Sequence, residues 1–496
     1  MKRCHVFTKV AILLLLVVSL AACNSKGESP DPVASVDPGN SSEEQIVLKI
    51  MDWSDSVKEI REEFNKRFME KYPHIKIEYT QLTIDQFQNT ILTAIKGGNA
   101  PDLFPIPSTV KLATAVNEGW FQPIDPYVEA DFKDHFIEGT FQNGITMFDN
   151  QIYSIPENPS IPSSLIFYNK KLLKEAGVDV TKQPLNYSEF REAAAKVTAA
   201  GQGKYYGIVE GGKQSNRWLI TVRDWASMAG AGLNGNSPVN LADGKTTYDS
   251  EAVLGVYSLF QQLAEDGSFH PKTMSISAPE ARALFSQGQA AFIIQGSWCI
   301  GVWNKENPEL DYGVIAPAVP DTGIKGSIGI GPSGAWMGIS ADSKHPKEAA
   351  LYLQELYLGD YYQQARVASG DSFSIVKGIN EANISVPQLQ EYYDIIQQYG
   401  KLIPDAAVRN PAATSVFEYY KDIQPDPGQL MAGTVAGAIK DYAQELDKYS
   451  KKVDMAWSSS IEAAQNAGNQ VAAEDFIFPN WNPMENYTAE NYAELP

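Results

Sequence analysis

Between residues 46 and 105 the chain alternates short β-branched runs with amphipathic helical stretches, and that alternation narrows the available folds more than any other feature. IVLKIMDW (46–53) reads as a strand. Ser56 to Glu59 forms a capping-box pattern ahead of a helical apolar stripe of Val57, Ile60, Phe64 and Phe68, which Pro73 ends. IKIEY follows as a second strand with Ile75, Ile77 and Tyr79 on one face. A second capping pattern, Thr83 to Gln86, precedes Phe87, Ile91 and Ile95 at helical spacing, and Gly97-Gly98 close that helix before the run DLFPI. The order β-α-β-α-β predicts a mostly parallel sheet covered on both faces. Later segments repeat the scheme: a helix at 186–200, the strand YYGIV, helices at 216–228 and 249–265, and an apolar strand ending at Gly296-Ser297-Trp298. A Gly-rich stretch at 321–334 reads as a crossing between two bodies, GAWMGIS as a strand, and Pro346 as the start of a helix. The last hundred residues are mostly helical, with Tyr442, Leu446, Tyr449, Val453, Trp457 and Ile461 on one face.

Ahead of this body lie Lys2, Arg3 and Lys9, the apolar run Val10–Leu20, and Leu20-Ala21-Ala22-Cys23. An apolar run of eleven residues, with Ser19 inside it, falls short of the roughly 20 that a spanning helix needs. The pattern is that of a cleaved export leader, residues 1–22, and Leu-Ala-Ala-Cys resembles the lipobox of bacterial lipoproteins. That resemblance implies diacylglyceryl attachment at Cys23 and a chain held to the outer face of the cytoplasmic membrane by lipid alone, as in a Gram-positive bacterium. Residues 23–44, rich in Pro, Gly, Ser and Asp, read as a flexible spacer. The formal charge of the whole chain is -20, and loss of the basic leader makes it more acidic still, so nucleic acid is not an expected partner. Cys299 would be left without a partner, among apolar neighbours that favour a buried thiol.

Five stretches resemble the family 1 extracellular solute-binding proteins of ABC importers: GGNAPDLF (97–104), GWFQPIDPYV (119–128), QIYSIPENPSIPSSLIFYNKKLLKEAGV (151–178), FSQGQAAFIIQGSW (285–298) with DYGVIAPAVP after it, and GISADSKHPKEAALYLQEL. The resemblance implies an α/β fold of two lobes joined by hinge strands, the type II periplasmic-binding-protein arrangement. Lobe 1 would hold 45–158 and 335–400, and lobe 2 would hold 159–334 and 401–496. It also implies a monomer that captures a carbohydrate, most simply an oligosaccharide, between the lobes and delivers it to membrane permease subunits. Some longer relatives carry an Asp-rich calcium loop where this chain has TAAGQGKYYG, so neither metal nor cofactor is expected.

A sugar offers hydroxyl rims and apolar faces, which amides, carboxylates and aromatic rings match, and the cleft of an open α/β sheet lies beyond strand carboxyl ends. The candidates are therefore Trp53 and Asp55 after the first strand, Glu157 and Asn158 at the hinge, Trp218 and Trp225 on one helix, Trp298 at a strand tip and Trp336 after the Gly-rich crossing. Each has a plainer reading: Asp55 as a helix cap, Glu157 and Asn158 as a solvated turn, and the tryptophans as core. Trp298 matches the family's Gly-X-Trp, with Gly296 expected to leave the indole exposed. Asp102 reads as structural. The histidines of the body, His74, His135, His270 and His345, are scattered, and no hydrolase elbow, zinc-protease motif or phosphate loop occurs. A membrane-tethered glycoside hydrolase and a ligand-binding co-receptor for a sensor kinase are the alternatives compatible with the same features.

Overall fold

A computed structural model describes residues 45–495 except 55–56, 83, 108–109, 111, 234–236 and 422. Cys23, Asp55 and the leader and spacer therefore lie outside the described residues.

The strands are β1 (Ile46–Asp52), β2 (Ile75–Gln81), β3 (Leu103–Pro105), β4 (Phe121–Gln122), β5 (Met147–Phe148), β6 (Gln151–Ile152), β7 (Leu165–Asn169), β8 (Tyr206–Ile208), β9 (Ala290–Gln295), β10 (Tyr312–Ile315), β11 (Ile328–Ile330), β12 (Met337–Ser340) and β13 (Gly400–Leu402). The first sheet has the order β2-β1-β3-β12-β4. Its β1 pairs in parallel with β2 and β3, as the alternating pattern predicts, while β12 returns antiparallel between β3 and β4. The second sheet, β10-β7-β9-β8, is parallel only between β8 and β9, because β7 and β10 run against their neighbours.

Each sheet carries its own core. Leu48, Ile50, Leu103 and Ile339 pack with Phe64 and Phe68 of helix Lys58–Lys71 and with Leu353 and Leu356 of helix Pro346–Leu358. The second sheet is buried on both faces, which is why AAFII reads as an unbroken apolar run. One face, with Phe292 and Ile294, meets Phe190, Val222, Trp225 and Phe260; the other, with Phe167 and Ile293, meets Trp303 and Tyr392. Cys299 is fully buried there, and burial pushes its thiol up to about 12.

Helix Pro387–Tyr399 falls inside the segment expected in lobe 1, yet Leu389, Tyr392 and Ile395 pack with Phe167 and Trp303 of the second sheet. Its apolar stripe identifies a buried face without saying which sheet receives it. The long helix Tyr442–Asn466 does use the expected stripe. Leu446, Tyr449 and Val453 join the second sheet's core, and Trp457 and Ile461 form a satellite cluster with Ala413 and Val416.

The connections between the sheets are tied to each other. Ile155, on the outgoing path, and Met337, on the return, exchange backbone hydrogen bonds of 2.9 and 3.1 Å. On the return path β11 pairs in parallel with β13.

Helix Tyr187–Gly201 lies so close to β8 that a Cβ on Gly207 would sit 2.4 Å from the carbonyl oxygen of Ala194. Gly207→Ala is expected to lower stability by about 1–3 kcal/mol through overpacking, read as a fall in the urea midpoint at unchanged slope.

Candidate ligand-binding cleft

Between the two sheets lies a cleft of about 450 Å³. Its first wall comes from Ile106 and Pro107, just after β3, where side chains leave the carboxyl end of the sheet. The outgoing connection adds Ser160 and Ser163, and the return path adds Gly331 and Ala335. Helix Ser215–Met228 supplies Arg223, Asp224 and Ser227. A last wall comes from Asp405, Thr414 and Phe417.

The polar centre of the cleft is the pair Arg223 and Asp224. Arg223 Nε donates to Asp224 Oδ1 at 3.1 Å, and Ser164 Oγ donates to Asp224 Oδ2 at 2.7 Å. Their side chains keep 29% and 12% of their surface exposed, so a ligand can reach both while bulk water screens the pair only partly. A carboxylate beside a guanidinium offers acceptors and donors together, as a hydroxyl-rich ligand requires. Neither residue stood out in the sequence, where VRDW is one turn of a helix chosen for its tryptophans. An adjacent Arg-Asp pair between Val222 and Trp225 of the helix's apolar stripe was the available signal.

The described candidates lie elsewhere. Trp218 and Trp225 are 2% and 0% exposed, and their indole N–H groups donate to the carbonyls of Gly212 and Ser164. Their seven-residue spacing marks the core face of the helix, so the expectation of ligand contact is corrected for both. Trp336 is also core, 5% exposed, with the Arg61 guanidinium 5.4 Å from its ring centre. Trp53 is half-buried and meets Phe87 edge-on at 4.8 Å.

Trp298 is half-buried and opens helix Trp298–Glu306 rather than ending the strand, which stops at Gln295. A Cβ on Gly296 would lie 2.1 Å from the indole, so Gly296 is there because the ring folds back over it. Arg217 sits 5.7 Å from that ring and donates to Ser163 O at 2.6 Å, which connects Trp298 to the cleft edge through one side chain.

Glu157 and Asn158 belong to a buried polar network beside the first sheet. Ser54 Oγ donates to Glu157 Oε1 at 2.7 Å. Arg366 donates to Glu157 O at 3.1 Å and to Asn158 Oδ1 at 2.6 Å, and pairs with Asp371 at 2.9 Å. Burial holds the Glu157 carboxyl above the usual carboxylate range, against the pull of Arg366. Asp52 is raised for the same reason, with Arg61 3.8 Å away opposing the shift. Asp102 is structural as expected, accepting from Lys49 N at 2.8 Å and Ser343 Oγ at 2.6 Å.

With the geometry in place, comparison with known proteins defines the class. Residues 53–363 match the model of the bacterial extracellular solute-binding proteins, and the chain belongs to that family. A candidate binding protein of Brucella abortus is 26% identical over 411 residues, 82% of this chain and 94% of its own. The multiple sugar-binding protein of Streptococcus mutans is 22% identical over 378 residues, 75% of this chain and 83% of its own. The Listeria monocytogenes substrate-binding protein Lmo0181, solved with cycloalternan, superposes with a TM-score of 0.63 at 17% identity, covering 83% of this chain and 98% of that one. The fold is thus the two-lobed arrangement of ABC-importer binding proteins.

Glu210, 4% exposed, accepts from Ile294 N at 2.6 Å, and burial pushes its carboxyl up to about 8. The native state therefore holds this proton while the unfolded chain, with an ordinary value of 4.5, releases it. Stability falls as pH rises between those two values and levels off above the higher one. Glu210→Gln is expected to remove this part of the decline, seen by comparing urea midpoints of the two proteins across the same pH series.

Removing Arg366 leaves the mostly covered Asp371 carboxylate, 12% exposed, without its cation. Arg366→Met is expected to cost about 3–5 kcal/mol, read from chemical denaturation.

Proposed function

We propose that this protein is the lipid-anchored, extracellular substrate-binding component of an ABC importer, and that it captures a carbohydrate, most simply an oligosaccharide, in the interlobe cleft for delivery to the permease. The observation that carries this reading is the cleft itself, a volume of about 450 Å³ walled by both lobes with the Arg223 and Asp224 pair at its polar centre. That size lies within the range of small-molecule sites, and a lining in which polar groups outweigh the apolar surface suits a hydroxyl-rich sugar. The Streptococcus relative is a multiple sugar-binding protein, and the Listeria structure holds cycloalternan. Asp224 and Arg223 would hold hydroxyls, while Trp298 and Glu157, at the flanks, would meet the ligand as the lobes close. Among the described residues no helix is long and apolar enough to cross a membrane, and Leu20-Ala21-Ala22-Cys23 supports attachment by lipid.

Titration calorimetry of the purified protein with a panel of mono- and oligosaccharides tests the reading. One series should bind and be recovered intact, whereas new reducing ends would indicate a hydrolase and no binding would remove the carbohydrate assignment. Asp224→Asn should then lose about 1.5–3 kcal/mol of binding free energy for that sugar, as expected for a hydrogen bond to a charged group. Cys23→Ser, expressed in a Gram-positive host, should lose labelling by a radioactive fatty acid.

A further inference from the structure

The family match ends at residue 363, yet one wall of the cleft is built from chain well beyond it. Residues 405–417 follow β13, which pairs with β11 of the return connection, and give Asp405, Ala407, Thr414 and Phe417 to the cleft lining. The segment is rooted in the second lobe: Ala413 and Val416 are buried with Val239, Trp457 and Ile461, and the Phe417 ring lies 5.6 Å from Trp457. It also touches the first lobe at two points. Thr114 Oγ1, on helix Leu112–Asn117, donates to Glu418 Oε1 at 2.8 Å. Gly144 packs so tightly that a Cβ there would lie 2.9 Å from Ala407 O and 3.3 Å from Pro411 Cα.

We infer that this C-terminal segment is an end wall of the binding cleft and that Phe417 is its specificity-determining residue, giving an apolar face to the terminal ring of a short saccharide and stopping longer chains from threading through. The inference rests on the carbohydrate reading above. A cleft spanned at one end by chain packed on both lobes cannot let an oligosaccharide run out at that end. Phe417 is half-buried and lines the cleft, with its ring centre 5.6 Å from that of Trp457 and 6.4 Å from that of Phe476. A fixed aromatic face of this kind stacks on the C–H face of a sugar with little loss of side-chain entropy. Asp405 lines the same cleft, its Oδ1 accepting from Ala407 N at 2.8 Å.

The test uses the full chain and four ligand series, those of maltose, cellobiose, xylobiose and chitobiose, each with its longer homologues, measured by calorimetry on wild type and on Phe417→Leu. Leucine keeps apolar volume against Trp457 and so protects folding, which a urea midpoint checks, but it removes the flat ring. Phe417→Trp is the second variant, since it keeps a ring and enlarges the wall. Wild type is expected to prefer the short members of one series. Phe417→Leu should weaken the short member about tenfold or more and narrow its advantage over the long ones, and Phe417→Trp should keep the discrimination. Equal wild-type affinity for short and long members, or a Phe417→Leu profile like that of wild type, overturns the inference and leaves the carbohydrate reading intact. Absence of binding to every series overturns both.

Discussion

The relation between the two sheets depends on the guanidinium of Arg366. It is buried, paired with Asp371, and donates to the backbone of Glu157 and the side chain of Asn158, the point where the chain leaves the first lobe. A fork of fixed donors holds two successive residues in one orientation, which a single point charge such as lysine would not. Next to it, Ile155 and Met337 fix the outgoing and returning paths to each other. With the two paths joined there, this point is the pivot from which the two lobes diverge.

From that pivot the cleft follows. The carboxyl end of β3 opens onto it from one lobe and helix Ser215–Met228 faces it from the other. The helix divides its work by face: Trp218, Val222 and Trp225 fill the core, and Arg223 and Asp224 are left to the cleft. Because Asp224 is held by both Arg223 and Ser164, its carboxylate is oriented before any ligand arrives, and that pre-organisation lowers the entropy lost on binding.

Much of the fold was legible because local patterns agree with tertiary structure there. The alternating strands and helices up to Pro105, the helix Tyr187–Gly201, and the apolar stripe of helix Tyr442–Asn466 all appear where the periodicity places them. Strand direction in the second sheet was not legible, since β7 runs against both β9 and β10 and no local signal records the course of the connections that reverse it. The tryptophans misled for a physical reason. A large ring on an amphipathic face satisfies a core and a sugar equally well, and only the packing of Phe190 and Phe260 around Trp225 decides between them. Phe417 and Asp405 were not found because their segment meets the first lobe through Glu418 on Thr114 and Ala407 against Gly144, residues far away in sequence. Gly296 was correctly noticed as meaningful, but it accommodates the Trp298 ring against the backbone rather than freeing it.

Hydrogen–deuterium exchange of the full chain, with and without the saccharide that binds most tightly, tests most directly whether ligand sits between the lobes. If it does, protection rises together in peptides covering Ile106–Pro107, Ser160–Ser163, Arg223–Ser227 and Asp405–Phe417, which come from both lobes and the outgoing connection. Protection confined to one lobe, or to the helix opened by Trp298 with the Arg223–Ser227 peptide unchanged, would contradict the account.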